Sequence, residues 1–161
     1  MSRVNKTKVL IGGAMKRKSP SKASEIICEL KLLSNDVLDY GCGYGFDADY
    51  YGWEKYDPYY FDNEKILTGK FKNIVCINVL NVVSKKIRNE IITNIQDLLT
   101  EDGKAYLVAP RNIPVNGKYS GYHRRPQNYV VLTLLSVYKS SKFEIYQLNK
   151  YDIYDDLTIN I

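Results

Sequence analysis

Three glycines alternate at Gly41, Gly43 and Gly45, directly after the short apolar pair Val37 and Leu38 and the carboxylate Asp39. A strand that runs into such a turn brings bare backbone close to a ligand, because glycine has no Cβ and tolerates positive φ. Eighteen residues after Asp39, a second short strand over 53–56 ends in Asp57. An acid at that point can accept hydrogen bonds from the two hydroxyls of a ribose. Together these residues describe a site for a ligand that carries a nucleoside.

Charge narrows the ligand. A dinucleotide fingerprint, Gly-x-Gly-x-x-Gly, sets a pyrophosphate on a helix N-terminus. Its third glycine would fall at position 46, which is Phe46. Asp39, Asp47 and Asp49 ring the loop and would repel a pyrophosphate, and no Walker lysine is present. They suit a ligand with no phosphate and a positive centre, such as the sulfonium and α-amino group of S-adenosylmethionine (SAM). The residues expected around it are Asp39, Tyr40, Gly41, Cys42, Gly43, Gly45, Asp47, Asp57, Pro58, Tyr59 and Asn78.

The run Val37-Leu-Asp-Tyr-Gly-Cys-Gly-Tyr-Gly45 resembles motif I of class I SAM-dependent methyltransferases, and Asp57 matches that family's ribose-binding acid. The closer likeness is to small bacterial and phage methyltransferases and to those associated with DNA phosphorothioation. In these, Asp-Pro-Tyr-Tyr and an Ile-Asn-Val-Leu-Asn-Val-Val run follow, here from Asp57 and from Ile77. Asp57-Pro58-Tyr59-Tyr60 also resembles the Asp-Pro-Pro-Tyr motif of adenine-N6 DNA methyltransferases, but that motif follows the fourth strand. Here the tetrapeptide follows the second, so Asp57 is read as a ribose contact and Tyr59 or Tyr60 as an adenine contact.

The resemblance implies a single compact α/β domain of Rossmann-like class I methyltransferase type. Its sheet should be mostly parallel, with an antiparallel closing edge. Only fifteen residues lie between Asp57 and Asn73, too few for the usual third strand and its helix, so the sheet should be shortened after the second strand. Around this core the chain divides into a basic arm (1–18), the methyltransferase domain (19–150) and an acidic, tyrosine-rich tail (151–161).

The elements that must position these residues follow from pattern. Ser19 with Pro20 predicts a helix over 19–33, its apolar positions at helical spacing. Residues 73–78 read as a buried parallel strand. Ser84 caps a helix to about 99; a turn over 101–103 leads to a strand over 104–109. Residues 129–135 and 143–148 read as two closing antiparallel strands.

Methyl transfer needs an oriented nucleophile and exclusion of water. Asn78, Asn81 and Arg111, at the carboxyl ends of strands, are the catalytic candidates; an asparagine carbonyl could orient an acceptor amine. Residues 111–127 mix arginine with tyrosine and hold no acid. Tyr119, Tyr122, His123, Arg124 and Arg125 therefore read as a mobile lid contacting substrate, with nucleic acid the expected acceptor. The same composition also suits a small-molecule methyltransferase. A SAM-binding accessory or sensor protein without catalysis is a third reading.

The whole chain sets further limits. Its 161 residues suffice for one sheet with helices on its faces, and a net charge of +5 permits a polyanionic partner. Cys28, Cys42 and Cys76 lack metal-ligand spacing, so no metal is expected and reduced thiols point to the cytoplasm. No apolar run approaches a membrane span.

Overall fold

The computed structural model describes residues 14–122, 124–159 and 161. Six strands form one sheet in the order β2-β1-β3-β4-β8-β7. β1 (Val37–Tyr40) pairs in parallel with β2 (Glu54–Tyr56) on one side and with β3 (Phe71–Ile77) on the other. β3 pairs in parallel with β4 (Leu99–Pro110). β8 (Phe143–Asn149) and β7 (Leu135–Lys139) complete the sheet in antiparallel fashion. Between β2 and β3 only a single helical turn, Ile66–Thr68, replaces a strand and crossover helix, so β2 is the edge of the sheet.

Each face of the sheet is covered. α3 (Lys85–Leu98) lays Ile87, Ile91, Ile92 and Ile95 over Leu38, Cys76 and Leu107. α1 (Lys22–Glu29) sets Ala23 and Ile27 against Val75, Val108 and Ile145 on the other face. Each of the valine, leucine and isoleucine side chains among them, removed from water, contributes about 1.5–3 kcal/mol.

Helix starts differ in how well they follow the sequence. Ser84 caps α3 as expected, its hydroxyl accepting from the Ile87 N–H at 3.3 Å. α1 is capped by Ser21 rather than Ser19, and Ser21 is itself held by Asp47, which accepts from its N–H at 2.8 Å and its hydroxyl at 2.6 Å. A carboxylate from α2 (Phe46–Tyr51) thus decides where α1 begins. α1 also ends early, at Glu29, followed by Lys31 in the left-handed region at φ 54°.

The turn expected over 101–103 lies inside β4, where the pairing with β3 slips between Phe71 and Asn73 and three residues bulge from the ladder. Residues 129–134 do not form the expected strand in the sheet. Val130 and Leu132 are buried, but Leu132 bridges to Asp156, and the neighbouring backbone bonds run from Thr133 N–H to Asp155 O (3.0 Å) and from Leu157 N–H to Val131 O (2.8 Å). The closing strand is instead β7. Residues 111–127 contain a small hairpin, β5 (Lys118–Ser120) with β6 (Arg125–Gln127). No helix among the described residues is long and apolar enough to cross a membrane.

Candidate functional site

A cavity of about 210 Å³ opens at the carboxyl ends of β1, β2 and β3. The glycine loop forms one wall and is tied to β2: the Gly41 and Cys42 N–H groups both donate to Tyr56 O, at 2.8 and 3.1 Å. Gly41 has φ 83°, and a Cβ there would lie 2.5 Å from Val79 Cγ2. At Gly43, φ 58°, a Cβ would meet that of Ala14 at 3.0 Å. Both positions require glycine, one for the facing wall and one for the base of the N-terminal arm.

Asp57 organises the opposite corner. Its Oδ2 accepts from the Gly43 N–H at 2.9 Å, and its Oδ1 accepts from the N–H groups of Tyr59 (2.9 Å) and Tyr60 (3.3 Å). A carboxylate has about four acceptor positions. Among the described residues three are used, which leaves one for a hydroxyl in the cavity that Asp57 lines.

Electrostatics favour a cation. Asp39 lies behind the loop, 4 % exposed, and is not among the lining residues. Burial pushes its carboxyl up to about 8, reinforced by Asp47 and Asp57 and opposed by Arg17. Three carboxyl groups thus crowd one end of a partly desolvated cleft, the buried one holding its proton, and a positive group bound there would favour ionisation of all three. Burial also raises the thiols of Cys42 and Cys76, which keeps both protonated. Among the described residues no group of three or more His, Cys, Asp or Glu could hold a metal ion.

Of the residues expected around a cofactor, Tyr40, Gly41, Cys42, Gly43, Gly45, Asp47, Asp57, Pro58, Tyr59 and Asn78 all line this cavity. Asp47 does so with both carboxylate oxygens already bonded to Ser21. Asn78 holds a left-handed backbone, φ 56°, at the end of β3, a strained conformation for a residue with a side chain. Sequence reasoning missed Tyr44, Val79, Val82 and Ile91, whose side chains carry no chemical signal. It also left open what the arm does: Ala14, Met15 and Arg17 form part of the wall. Residues 1–13 lie outside the described residues.

The catalytic candidates do not all converge. Arg111 is directed away from the cavity; its Nε donates to Tyr129 Oη at 3.1 Å, its Nη1 to Ser140 O, and its N–H to Lys142 O at 2.8 Å. β4 runs through Pro110, so Arg111 falls at the β7–β8 turn and anchors it. Asn81, 4 % exposed, points at the hairpin: its Nδ2 donates to Gln127 Oε1 at 2.7 Å, while its Oδ1 is buried with no partner among the described residues.

Tyr119, Tyr122, Arg124 and Arg125 sit on the hairpin and do not line the cavity; His123 lies outside the described residues. Arg124 stacks over the Tyr119 ring at 5.2 Å, and Tyr122 is 96 % exposed. Arg125 is near enough to Tyr60, a lining residue, to act on its hydroxyl electrostatically. Through the Gln127–Asn81 bond the hairpin lies against the segment 78–82 that supplies part of the cavity wall.

The fold is similar to that of 1,6-didemethyltoxoflavin-N1-methyltransferase from Burkholderia thailandensis, solved with bound 1,6-didemethyltoxoflavin and S-adenosylhomocysteine. The match has a TM-score of 0.54 at 15% identity and covers 81% of this chain and 77% of that one. TehB from Haemophilus influenzae matches at a TM-score of 0.46 and 13% identity, over 78% of this chain and 61% of that one. PKMT2 from Rickettsia typhi matches at a TM-score of 0.35 and 22% identity; 46% of this chain is covered, and it spans 21% of that protein. No family model matches the chain, and no curated protein matches it. The likeness to the Burkholderia enzyme shows the architecture: a Rossmann-like class I methyltransferase fold with an antiparallel edge.

Proposed function

We propose that the chain binds S-adenosylmethionine in this cavity and transfers its methyl group, with nucleic acid as the acceptor. The observation that carries the cofactor is the joint placement of the positive-φ glycine loop and Asp57 on one cavity of a methyltransferase fold. The residues fit the group: a glycine cradle, an acid with one acceptor position open to a ribose hydroxyl, and an excess of carboxylate for a cationic centre. The sequence resemblance to the phosphorothioation-associated methyltransferases belongs to this reading and supports it.

Bound there, SAM would supply a sulfonium methyl group for transfer to an acceptor lone pair. The chain's own contribution is positional. Asp57 holds the ribose and, through Gly43, the loop beside it. Tyr59 and Tyr60 offer ring surface to the adenine. Asp47 and Asp57 on the cavity wall compensate positive charge, and Asp39 behind the loop adds to them only once a bound cation draws off its proton. Ala14, Met15 and Arg17 cover one side of the cleft, and Asn78 lines it at the end of β3.

The hairpin supports a nucleic-acid acceptor through Lys118, Arg124 and Arg125 beside Tyr119 and Tyr122, arginine and aromatic side chains in the combination that joins phosphate contacts to base stacking. A small-molecule acceptor is the second reading, favoured by the shared fold of the Burkholderia enzyme, which was solved with a small heterocycle. The test is incubation with methyl-labelled SAM and separate DNA, RNA, metabolite and protein fractions. Label in DNA or RNA supports the reading. Label only among metabolites selects the second, and SAM binding with no label in any fraction leaves a binding protein without catalysis.

A further inference from the structure

We propose that Arg88 is a positioning residue which, held by Asp156 of the C-terminal tail, clamps the segment 78–83 that walls the cavity. The two side chains form an ion pair at 2.7 Å with exposures of 0% and 2%. Taking two charges out of water costs several kcal/mol per ion, and apolar side chains of similar volume commonly replace such a pair at equal or better stability. Packing alone therefore gives no reason for a guanidinium here.

What arginine does that an apolar residue cannot is hold carbonyls. Its Nη1 donates to Leu80 O at 3.0 Å and to Val83 O at 3.1 Å. These carbonyls belong to the first residue of the single helical turn Leu80–Val82 and to the residue after it, and the turn is too short to satisfy its own backbone groups. Asn78, Val79 and Val82 of the same segment line the cavity. One buried side chain thus fixes the path of a wall whose first residue is already strained at φ 56°.

The tail sets where Arg88 can reach. Asp156 is located by its bridge to Leu132, and its Oδ1 accepts from the Thr158 N–H at 3.1 Å. The tail ends with the Ile161 N–H donating to Asn128 Oδ1 at 3.0 Å, and the Asn128 N–H donates to Asn81 O at 2.7 Å. The tail therefore grips the wall segment twice: through Arg88, and through Asn128 directly after β6 of the hairpin. Cofactor wall, tail and hairpin form one closed hydrogen-bonded circuit.

The test compares wild type with Arg88→Met/Asp156→Leu, which removes both charges together, and with Arg88→Lys, which keeps the charge but not the fork that serves two carbonyls and a carboxylate. Folding is checked by circular dichroism and thermal melting. Hydrogen exchange at the amides of 78–83 is read against those of 73–77 in β3, and S-adenosylhomocysteine affinity is measured by calorimetry. In whichever variant folds, exchange in 78–83 should rise about tenfold or more with β3 unchanged, and affinity should fall about tenfold, since small misplacements in a binding wall have effects of this size. Exchange and affinity within twofold of wild type in a folded variant would overturn the clamp. The affinity arm rests on the SAM reading and the exchange arm does not. Wild type that fails to bind the ligand removes that reading, and exchange alone then decides the clamp.

Discussion

Asp39 and Asp57 lie at the ends of neighbouring strands, and their environments ask different things of them. Asp39 is buried beside two other carboxylates and titrates at about 8, against 3.8 for the ordinary group. Between those values the folded chain keeps a proton that the unfolded chain releases. The contribution of Asp39 to stability is thus fully present below about pH 4 and is lost as pH rises through 8, with a slope of at most about 1.4 kcal/mol per pH unit. Asp39→Asn removes the slope. Thermal melts of the ligand-free protein should show the variant gaining on wild type from pH 5 to pH 8; parallel curves would exclude a raised Asp39. Asp57→Ala does something else, since it strips an acceptor from three backbone N–H groups as well as from a ribose. SAM affinity measured by calorimetry should drop by about 2–4 kcal/mol, as expected when several bonds to a charged group are removed from a mostly buried site. Wild-type affinity in Asp57→Ala would end the ribose assignment.

At the scale of elements, the legible parts of this chain are those whose cause is local. The glycine loop, the acid after β2 and the Ser84 cap each depend on residues a few positions apart, and all stand where pattern places them. The missing third strand is equally legible, because fifteen residues between Asp57 and Asn73 cannot hold a strand and a helix. What failed has a long-range cause. Ser21 displaces Ser19 as the α1 cap because Asp47, 26 residues on, binds it. The apolar run at 130–132 reads as a sheet strand but pairs with the tail, and the end of β4, rather than any chemistry, decides where Arg111 sits. The Arg88–Asp156 pair spans 68 residues and left no mark in the sequence. The hairpin is where composition speaks and geometry adds position, and its expectation is tested as an element. Arg124→Ala/Arg125→Ala should weaken nucleic-acid binding and flatten its dependence on salt, by about one unit of log–log slope for each phosphate no longer neutralised. SAM affinity should hold, because neither side chain lines the cavity. Identical titrations at every salt concentration would remove nucleic acid as the hairpin's partner.

Across the whole molecule, the cavity draws its walls from parts that the sequence separates widely: the arm at 14–17, the glycine loop, the strand ends and the segment before α3, which the tail braces from behind. A ligand that touches all of them binds the folded chain and has nothing comparable to bind in the unfolded one. S-adenosylhomocysteine at a hundred times its dissociation constant should therefore stabilise the protein by about 2.7 kcal/mol. For a chain of this size that corresponds to a rise in melting temperature of roughly 5–10 °C. The unfolding transition should stay single, because α1, the loop and α2 are joined through Ser21 and Asp47, and the wall segment is joined to the tail through Arg88. Two transitions, with only one moved by ligand, would mean that the arm or tail melts apart from the site. NADH at the same multiple of the S-adenosylhomocysteine constant should give no shift, since its pyrophosphate would face the carboxylates around the glycine loop. A comparable shift with NADH would show that this electrostatic reading of the loop is mistaken.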